Sequence, residues 1–174
     1  GRLLNLQVTP LAVPWQHPDY ANPASFDEVE VALGDRPLVV GATLSLPRGA
    51  EGPVPGVVLL SGGGPFYRDM TMGNNRIGKD LAWGLASRGV AVLRFDKAAH
   101  THPTIITRNP DRTPTDDYVT YGAAAVDALR VNPAIDASRI VLVGHSMGGM
   151  YAPCVAPARP EEVSGLVLLA AEAQ

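Results

Sequence analysis

The sequence has a single cysteine, few aromatic residues and no long run of apolar residues. The one cysteine, Cys154, excludes a disulfide framework within the chain, and we interpret it as a small core residue. Because no apolar run approaches about 20 residues, we expect no membrane span. A formal net charge of -3 and the lack of a basic stripe argue against nucleic acid as a partner. The composition favours a soluble α/β protein, cytoplasmic or exported after removal of a signal.

The most specific pattern in the chain is Gly-His-Ser-Met-Gly at residues 144–148. The β-branched and apolar residues 140–143 directly before it are typical of a buried strand. The small residues over 148–158 predict the start of a helix. Ser146 would therefore sit on a sharp strand-to-helix turn, a nucleophile elbow, with its Oγ standing clear of the sheet.

The neighbours of Ser146 fit this turn. Gly144 and Gly148 leave room where side chains would collide across the turn. The backbone N–H of Met147 would lie at a helix N-terminus and point to the place where an oxyanion develops. The alternative is a chance match in a glycine-rich chain, which the preceding strand, the following helix and the additional Gly149 disfavour.

A second glycine-rich loop, at residues 61–65, follows the apolar run 55–60. Glycines leave backbone N–H groups unshielded, so such a loop can donate hydrogen bonds to an anionic oxygen. Acyl transfer on an elbow serine uses two donors, one from the residue after the serine and one from a loop of this kind. We predict Gly63 as the second donor, with Gly62 and Gly64 shaping the loop. The alternative for a glycine triplet alone is a flexible turn.

Several segments carry a resemblance to a known group. They are Gly64-Pro65, Arg68-Asp69 and the runs 80–89, 92–97 and 144–149. With them the chain resembles the α/β-hydrolases, and in particular bacterial esterases and acyl hydrolases related to dienelactone hydrolase, over about residues 14–171. The resemblance implies a serine nucleophile and no cofactor. The family usually has histidine before the first loop glycine, whereas this chain has Ser61, which leaves the backbone donors in place.

The order of the predicted elements agrees with that fold. Strands are predicted at 29–33, 38–46, 57–60, 90–95, 140–143 and 166–170, and helices at 75–88 and 116–131, the latter with Thr115 as its cap. This order predicts a mostly parallel, doubly wound sheet with an antiparallel start, both faces covered by helices, and both loops at the carboxyl ends of strands.

One domain boundary, after residue 26, follows from composition. Residues 1–26 are rich in proline and are interpreted as a linker or the tail of an upstream domain, with 3–8 as a candidate strand. Residues 27–174 are interpreted as the N-terminal part of an α/β-hydrolase domain. The segment 109–115 is predicted to be an exposed loop that borders the substrate entrance.

The expected partners of Ser146 are missing. In this fold the triad runs serine, then acid, then histidine, yet residues 147–174 contain neither histidine nor aspartate. The only acids there are Glu161, Glu162 and Glu172. We therefore expect the triad acid and histidine in a C-terminal segment of the same protein that this chain lacks. Asp96 is interpreted as a structural acid paired with Arg94 or Lys97.

The histidines that are present are poor replacements. His145 lies within the elbow and His17 in the proline-rich segment. His100 and His102 are interpreted as polar loop residues, with contact to substrate as the alternative. They lack a carboxylate or cysteine partner at useful spacing, so no metal site is expected.

The sequence thus predicts a serine hydrolase acting on carboxylic esters of a small acyl substrate. Ser146 would attack the acyl carbonyl, the N–H groups of Gly63 and Met147 would hold the oxyanion, and water would release the acyl group. Thioesters, amides and lactones remain open, as a peptidase, thioesterase or acyltransferase of the same fold. A different class of alternative is a non-catalytic, hydrolase-like binding domain that keeps the elbow for folding.

Overall fold

A computed structural model of the protein describes residues 14–109 and 111–171. The strands are β1 (Phe26–Leu33), β2 (Val40–Pro47), β3 (Val54–Leu60), β4 (Thr71–Met72), β5 (Asn75–Arg76), β6 (Ala91–Phe95), β7 (Ile135–His145) and β8 (Val163–Leu169). The helices are α1 (Ile77–Ala86), α2 (Ala98–Thr101), α3 (Pro103–Thr107), α4 (Pro114–Arg130) and α5 (Met147–Val155), with 3₁₀ turns at Pro23–Ser25 and Ala156–Ala158.

Six of the strands form one sheet in the order β1-β2-β6-β3-β7-β8. The strands β6, β3, β7 and β8 run parallel, whereas β1 and β2 are antiparallel to each other and β2 is antiparallel to β6. This confirms the predicted mostly parallel sheet with an antiparallel start. Since β3 and β7 are neighbours with Leu60 opposite Gly144, the two segments that follow them emerge side by side.

Apolar side chains alternate along the strands and so fill two layers, one on each face of the sheet. On one face Val58, Leu60 and Leu142 pack under α4 and α5. On the other face Val57, Leu59, Val92 and Val143 pack with Met70 and with Ala82 of α1. Helices cover both faces, as predicted.

Two predicted helix starts are wrong. The helix expected from residue 75 begins at Ile77, because residues 75 and 76 pair with β4 in a short antiparallel hairpin. The cap of α4 is Thr113 rather than Thr115: its N–H donates to the Asp116 carboxylate at 2.6 Å, and Pro114 occupies the first helical position. Proline suits that position since its missing N–H would have no partner within the helix.

The interpretation of Cys154 as a core residue is also wrong, because its side chain is exposed. The buried residues of α5, which form the face that packs on the sheet, are Gly148, Gly149, Ala152 and Val155. Residue 154 does not belong to that face.

Residues 14–25 lie against α1. The Trp15 indole donates to the Asp80 carboxylate at 2.9 Å and meets the Trp83 ring edge-on, and the Asn22 N–H donates to the Ser87 hydroxyl at 2.8 Å. The division at residue 26 stays a prediction, and the candidate strand at 3–8 lies outside the described residues, as does Glu172. No helix within 14–109 or 111–171 has the length and apolar character of a membrane span.

Candidate active site

Ser146 occupies the single residue between β7 and α5. Its backbone has φ 51° and ψ -121°, a region that non-glycine residues rarely adopt and that costs on the order of 1–3 kcal/mol. The turn is held by its own backbone: the Ser146 N–H donates to the Leu169 carbonyl at 2.8 Å, and the N–H groups of Gly149 and Met150 return to the Ser146 carbonyl. The predicted strand, sharp turn and helix are all present around this serine.

Close backbone contacts explain the two flanking glycines. A Cβ on Gly144 would lie 2.6 Å from the Cα of Gly149, and a Cβ on Gly148 would lie 2.5 Å from the Ser61 carbonyl oxygen. Neither distance leaves room for a methyl group. Gly148 therefore packs directly against the backbone where β3 passes into the glycine loop.

The glycine loop at 61–65 lies beside Ser146. A Cβ on Gly62 would lie 3.5 Å from the Cβ of Ser146 and 3.2 Å from Nδ1 of His145, so the His145 ring is turned towards this loop. A Cβ on Gly63 would lie 3.3 Å from Cε of Met147. The predicted donor residues 63 and 147 are thus neighbours across the two loops.

The N–H groups of Gly63 and Met147 take part in none of the hydrogen bonds among residues 14–109 and 111–171. For Met147 this follows from its place at the first position of α5, where N–H groups have no partner within the helix. Two unengaged backbone donors beside one serine are the arrangement that an oxyanion requires.

Lys97 and Tyr118 hold the glycine loop from outside. The Lys97 ammonium donates to the Gly62 carbonyl at 2.6 Å and also contacts the Tyr118 hydroxyl, which itself donates to the Gly62 carbonyl at 2.8 Å. Burial lowers the pKa of Lys97 to about 8, against an opposing effect of Asp117. Burial and then the charge of Asp117 raise the pKa of Tyr118 above its usual value. Sequence reasoning missed both residues as part of the site.

The missed contacts leave little trace in the sequence. Lys97 follows a buried strand at its carboxyl end, which is a usual place for functional side chains in parallel sheets. Tyr118 stacks on Tyr151 with the ring centroids 4.9 Å apart. A buried tyrosine on a helix is therefore explained by core packing and does not indicate a contact with the glycine loop. The position of Lys97 at the end of a strand could therefore have pointed to this residue, whereas nothing in the sequence marks Tyr118 as part of the site.

A cavity of about 510 Å³ opens next to these groups. Its lining residues are Gly64, Pro65, Lys97, Ala99, Pro103, Ile106, Thr107, Arg112, Thr113, Pro114, Asp117, Tyr118 and Met147. The size falls within the range of small-molecule sites. The segment predicted to border the substrate entrance contributes residues 112–114, although α4 already begins at Pro114.

No histidine among the described residues forms a hydrogen bond with Ser146. His100 and His102, which lie at α2 and the start of α3 rather than in an irregular loop, contact the backbone carbonyls of Pro65 and Val39. His17 lies near Trp83. Over the described ranges, no group of three histidine, cysteine or acidic side chains is placed to hold a metal ion.

Asp96 pairs with Arg68, and the predicted pairing with Arg94 or Lys97 is wrong. The Arg68 guanidinium meets both Asp96 carboxylate oxygens at 3.0 Å, and the Arg68 N–H adds a third bond at 2.9 Å. Arg94 instead meets Asp69 at 3.1 Å. Both arginines are buried, and these ion pairs anchor the segment that follows the glycine loop.

Comparison with known proteins places this geometry in a family. The sequence profile of the Alpha/beta hydrolase family matches residues 57–174. Esterase EstD of Thermotoga maritima is 34% identical over 163 residues, which is 92% of this chain and 36% of that protein. The chain thus spans about a third of the length of this curated relative.

Solved structures share the fold. A dienelactone hydrolase-like promiscuous phosphotriesterase from metagenomic libraries superposes with a TM-score of 0.63 at 24% identity, covering 84% of this chain and 60% of that chain. Dienelactone hydrolase from Anabaena variabilis gives a TM-score of 0.64 at 22% identity, covering 82% and 62%. At these identities the likeness concerns the fold alone. Together with the profile match and the esterase relative, it shows that the chain belongs to the α/β-hydrolase family.

Proposed function

We propose that this chain carries the nucleophile and the oxyanion hole of a serine hydrolase that acts on carboxylic esters. The observation that carries the proposal is the strained backbone of Ser146, with the Gly62 loop against its side chain. Strain of this kind persists where the surrounding structure over-determines it, and it is concentrated at functional sites. The similarity to an esterase supports an ester substrate.

In the proposed mechanism the Ser146 Oγ attacks the acyl carbonyl and loses its proton to a general base. The resulting tetrahedral oxyanion accepts hydrogen bonds from Gly63 and Met147, whose N–H groups have no other partner among the described residues. Collapse expels the alcohol, which takes up the proton, and leaves an acyl-enzyme. Water then attacks the acyl carbon and frees Ser146. These steps require no cofactor.

We place the small acyl substrate in the cavity bordered by Gly64 and Met147, because Met147 is one of the two proposed donors and Gly64 follows the other, Gly63. Its walls at Pro103, Ile106 and Ala99 are apolar. Of the charged residues in the lining, Arg112 and Asp117 pair with each other at 2.8 Å. The apolar walls therefore suit an uncharged acyl or alcohol chain.

The general base and its acid are proposed to come from a further segment of the protein. No described histidine bonds to Ser146, and the esterase relative is far longer than this chain. Without a base a serine hydroxyl is a weak nucleophile at neutral pH. We expect residues 1–174 alone to give negligible ester turnover. Turnover by this polypeptide that disappears in Ser146→Ala would contradict the expectation and direct attention to His100, His102 and His17.

The proposal is tested by Ser146→Ala in the protein that includes the further segment, with p-nitrophenyl acetate as substrate. Loss of a nucleophile lowers turnover on the order of a millionfold, so no activity above background is expected. Ser138→Ala is the matched control, because Ser138 is exposed and its hydroxyl donates to Asp136, with no other side-chain partner in the described part of the chain. If Ser146→Ala keeps a tenth of the activity, the assignment of the nucleophile is wrong.

A non-catalytic binding domain is the second candidate, favoured by the lack of a described histidine or acid bonded to Ser146. The two functions differ in one result. A binding domain would show no ester, thioester or amide turnover in any form of the protein, yet would retain the elbow geometry.

A further inference from the structure

The Gly62 carbonyl receives two hydrogen bonds from buried side chains. The Lys97 ammonium donates at 2.6 Å and the Tyr118 hydroxyl at 2.8 Å. Lys97 also fixes the far end of the same loop, because its backbone N–H donates to the Phe66 carbonyl at 3.1 Å. Both side chains are almost fully buried, with 5% of Lys97 and 2% of Tyr118 exposed.

The carbonyl of Gly62 and the N–H of Gly63 belong to one planar peptide unit. Fixing the carbonyl oxygen therefore fixes the direction of the N–H on the opposite side. A positive donor at the oxygen also draws electron density through the amide, which strengthens the N–H as a donor, since linked hydrogen bonds polarise one another. The N–H that these contacts orient and polarise is that of Gly63, which has no partner among residues 14–109 and 111–171.

We propose that Lys97 and Tyr118 are positioning residues that orient and polarise the Gly62–Gly63 peptide, so that the Gly63 N–H stabilises the oxyanion. The inference deepens the proposed function and rests on it. It assigns to a lysine and a tyrosine of this chain a part in the reaction without contact between either side chain and the reacting atoms.

The cost of burying the Lys97 ammonium is offset only in part by a cation–π contact, in which the ammonium lies 4.2 Å from the centroid of the Tyr118 ring. Stability alone therefore gives little reason for a lysine at this position. Its ammonium bonds to neutral oxygens, and within the described part of the chain no carboxylate forms an ion pair with it. A buried charge without an opposite charge is destabilising. Removal of Lys97 would leave Gly62 with a partner, because the Tyr118 hydroxyl already donates to it. A buried ammonium in a cavity wall that adds little to the stability of the fold, as that of Lys97 does, is typical of a functional site.

The lowered pKa of Lys97, about 8, follows from burial and agrees with this reasoning. The folded protein binds this proton less tightly than the unfolded chain, so the stability cost of the charge is present below about pH 8 and is relieved as pH rises from about 8 towards the ordinary lysine value near 10.5. The titratable groups around it are Tyr118 and Asp117 of α4, Arg112 in the same cavity, Asp96 and His100 of its own segment, and His145 beside Gly62.

The test uses Lys97→Met in the catalytically competent protein, with Lys79→Met as the matched control on α1, where the lysine lies over the rings of Trp15 and Trp83. With p-nitrophenyl acetate we expect kcat to fall about 10- to 100-fold and KM to change little. The fall in kcat should not exceed the fall caused by removal of a whole oxyanion donor, because the Gly63 N–H is weakened and not removed. The melting temperature at pH 7 should be unchanged or higher. In addition, kcat of the parent protein should decline above about pH 8, and the variant should lack that decline.

Tyr118→Phe keeps the ring stack and removes only the hydroxyl, so we expect a smaller fall in kcat. Tyr121→Phe is its control, because Tyr121 is also buried on α4 but its hydroxyl donates to the Leu38 carbonyl and not to the glycine loop. Unchanged kcat in Lys97→Met, or a variant that unfolds, would overturn the inference, since both results reduce Lys97 to a structural role. Retained turnover in Ser146→Ala would instead overturn the proposed function itself.

Discussion

The elbow and the glycine loop meet at one edge of the sheet, but different kinds of contact hold them. The elbow is fixed by backbone atoms, such as the Ser61 carbonyl against Gly148 and the N–H groups bonded to the Ser146 carbonyl. The glycine loop is fixed by side chains that are distant along the chain. The partners of Gly62 are Lys97, 35 residues away, and Tyr118, 56 residues away.

The two kinds of contact serve two purposes, the placement of the proposed nucleophile and the placement of the proposed donor loop. Backbone sterics place the nucleophile rigidly, and no titratable group is needed for that. The donor loop is placed by groups whose charge and hydrogen bonds can change with pH or substitution. We therefore expect changes at the elbow to affect folding first, and changes at the loop to affect catalysis while the fold survives.

The largest effect should come from Gly148→Ala. The new methyl group would lie 2.5 Å from the Ser61 carbonyl oxygen, so the elbow and the end of β3 must move apart. Overpacking of this kind costs about 3 kcal/mol in the free energy of unfolding, measured by urea denaturation. Gly52→Ala is the control, because a Cβ there meets nothing within 4 Å. A Gly148→Ala protein as stable as the control would show that the elbow is not held by these contacts.

Gly63→Val should lower the free energy of unfolding less than Gly148→Ala does, but it should clearly lower kcat. The new side chain meets the flexible end of Met147 at 3.3 Å, which can move aside, so we expect unfolding to stay cooperative. The displaced N–H should lower kcat about a hundredfold, as loss of an oxyanion donor does. Steady-state kinetics beside Gly52→Val checks this. Full activity in a well-folded Gly63→Val protein would place the oxyanion hole elsewhere.

The same distinction explains which parts of the fold the sequence predicted. The central strands β3 and β7 contain continuous apolar runs at 57–60 and 140–143, and the elbow is a local motif, so these parts were predictable. The first five residues of β7, which include Asp136 and Arg139, carry no such pattern and were not predicted as strand. The hairpin of β4 and β5 has only two residues in each strand, too few for a periodic pattern. Thr113 was missed as a cap because Thr115 offered the same side chain two residues later.

Within the candidate site, the sequence predicted which loops come together, and the structure brings residues 63 and 147 side by side. It did not predict the contacts of side chains that are distant along the chain. The roles proposed for Ser146, Gly63 and Met147 rest on a local motif and on order along the chain, and they stay predictions. The Asp96–Arg68 pair and the Lys97–Gly62 bond join residues 28 and 35 positions apart. A single sequence carries no signal for such pairs, since adjacent charged residues offer equally plausible partners.

The central claim is that Ser146 is the nucleophile, and covalent labelling tests it most directly. The catalytically competent protein should be treated with a fluorophosphonate, digested and mapped by mass spectrometry. Our account predicts one phosphonyl group, attached to Ser146, with loss of ester turnover in proportion to labelling. An unlabelled Ser146 in a protein that still hydrolyses esters, or inactivation through a label on another residue, would contradict the account.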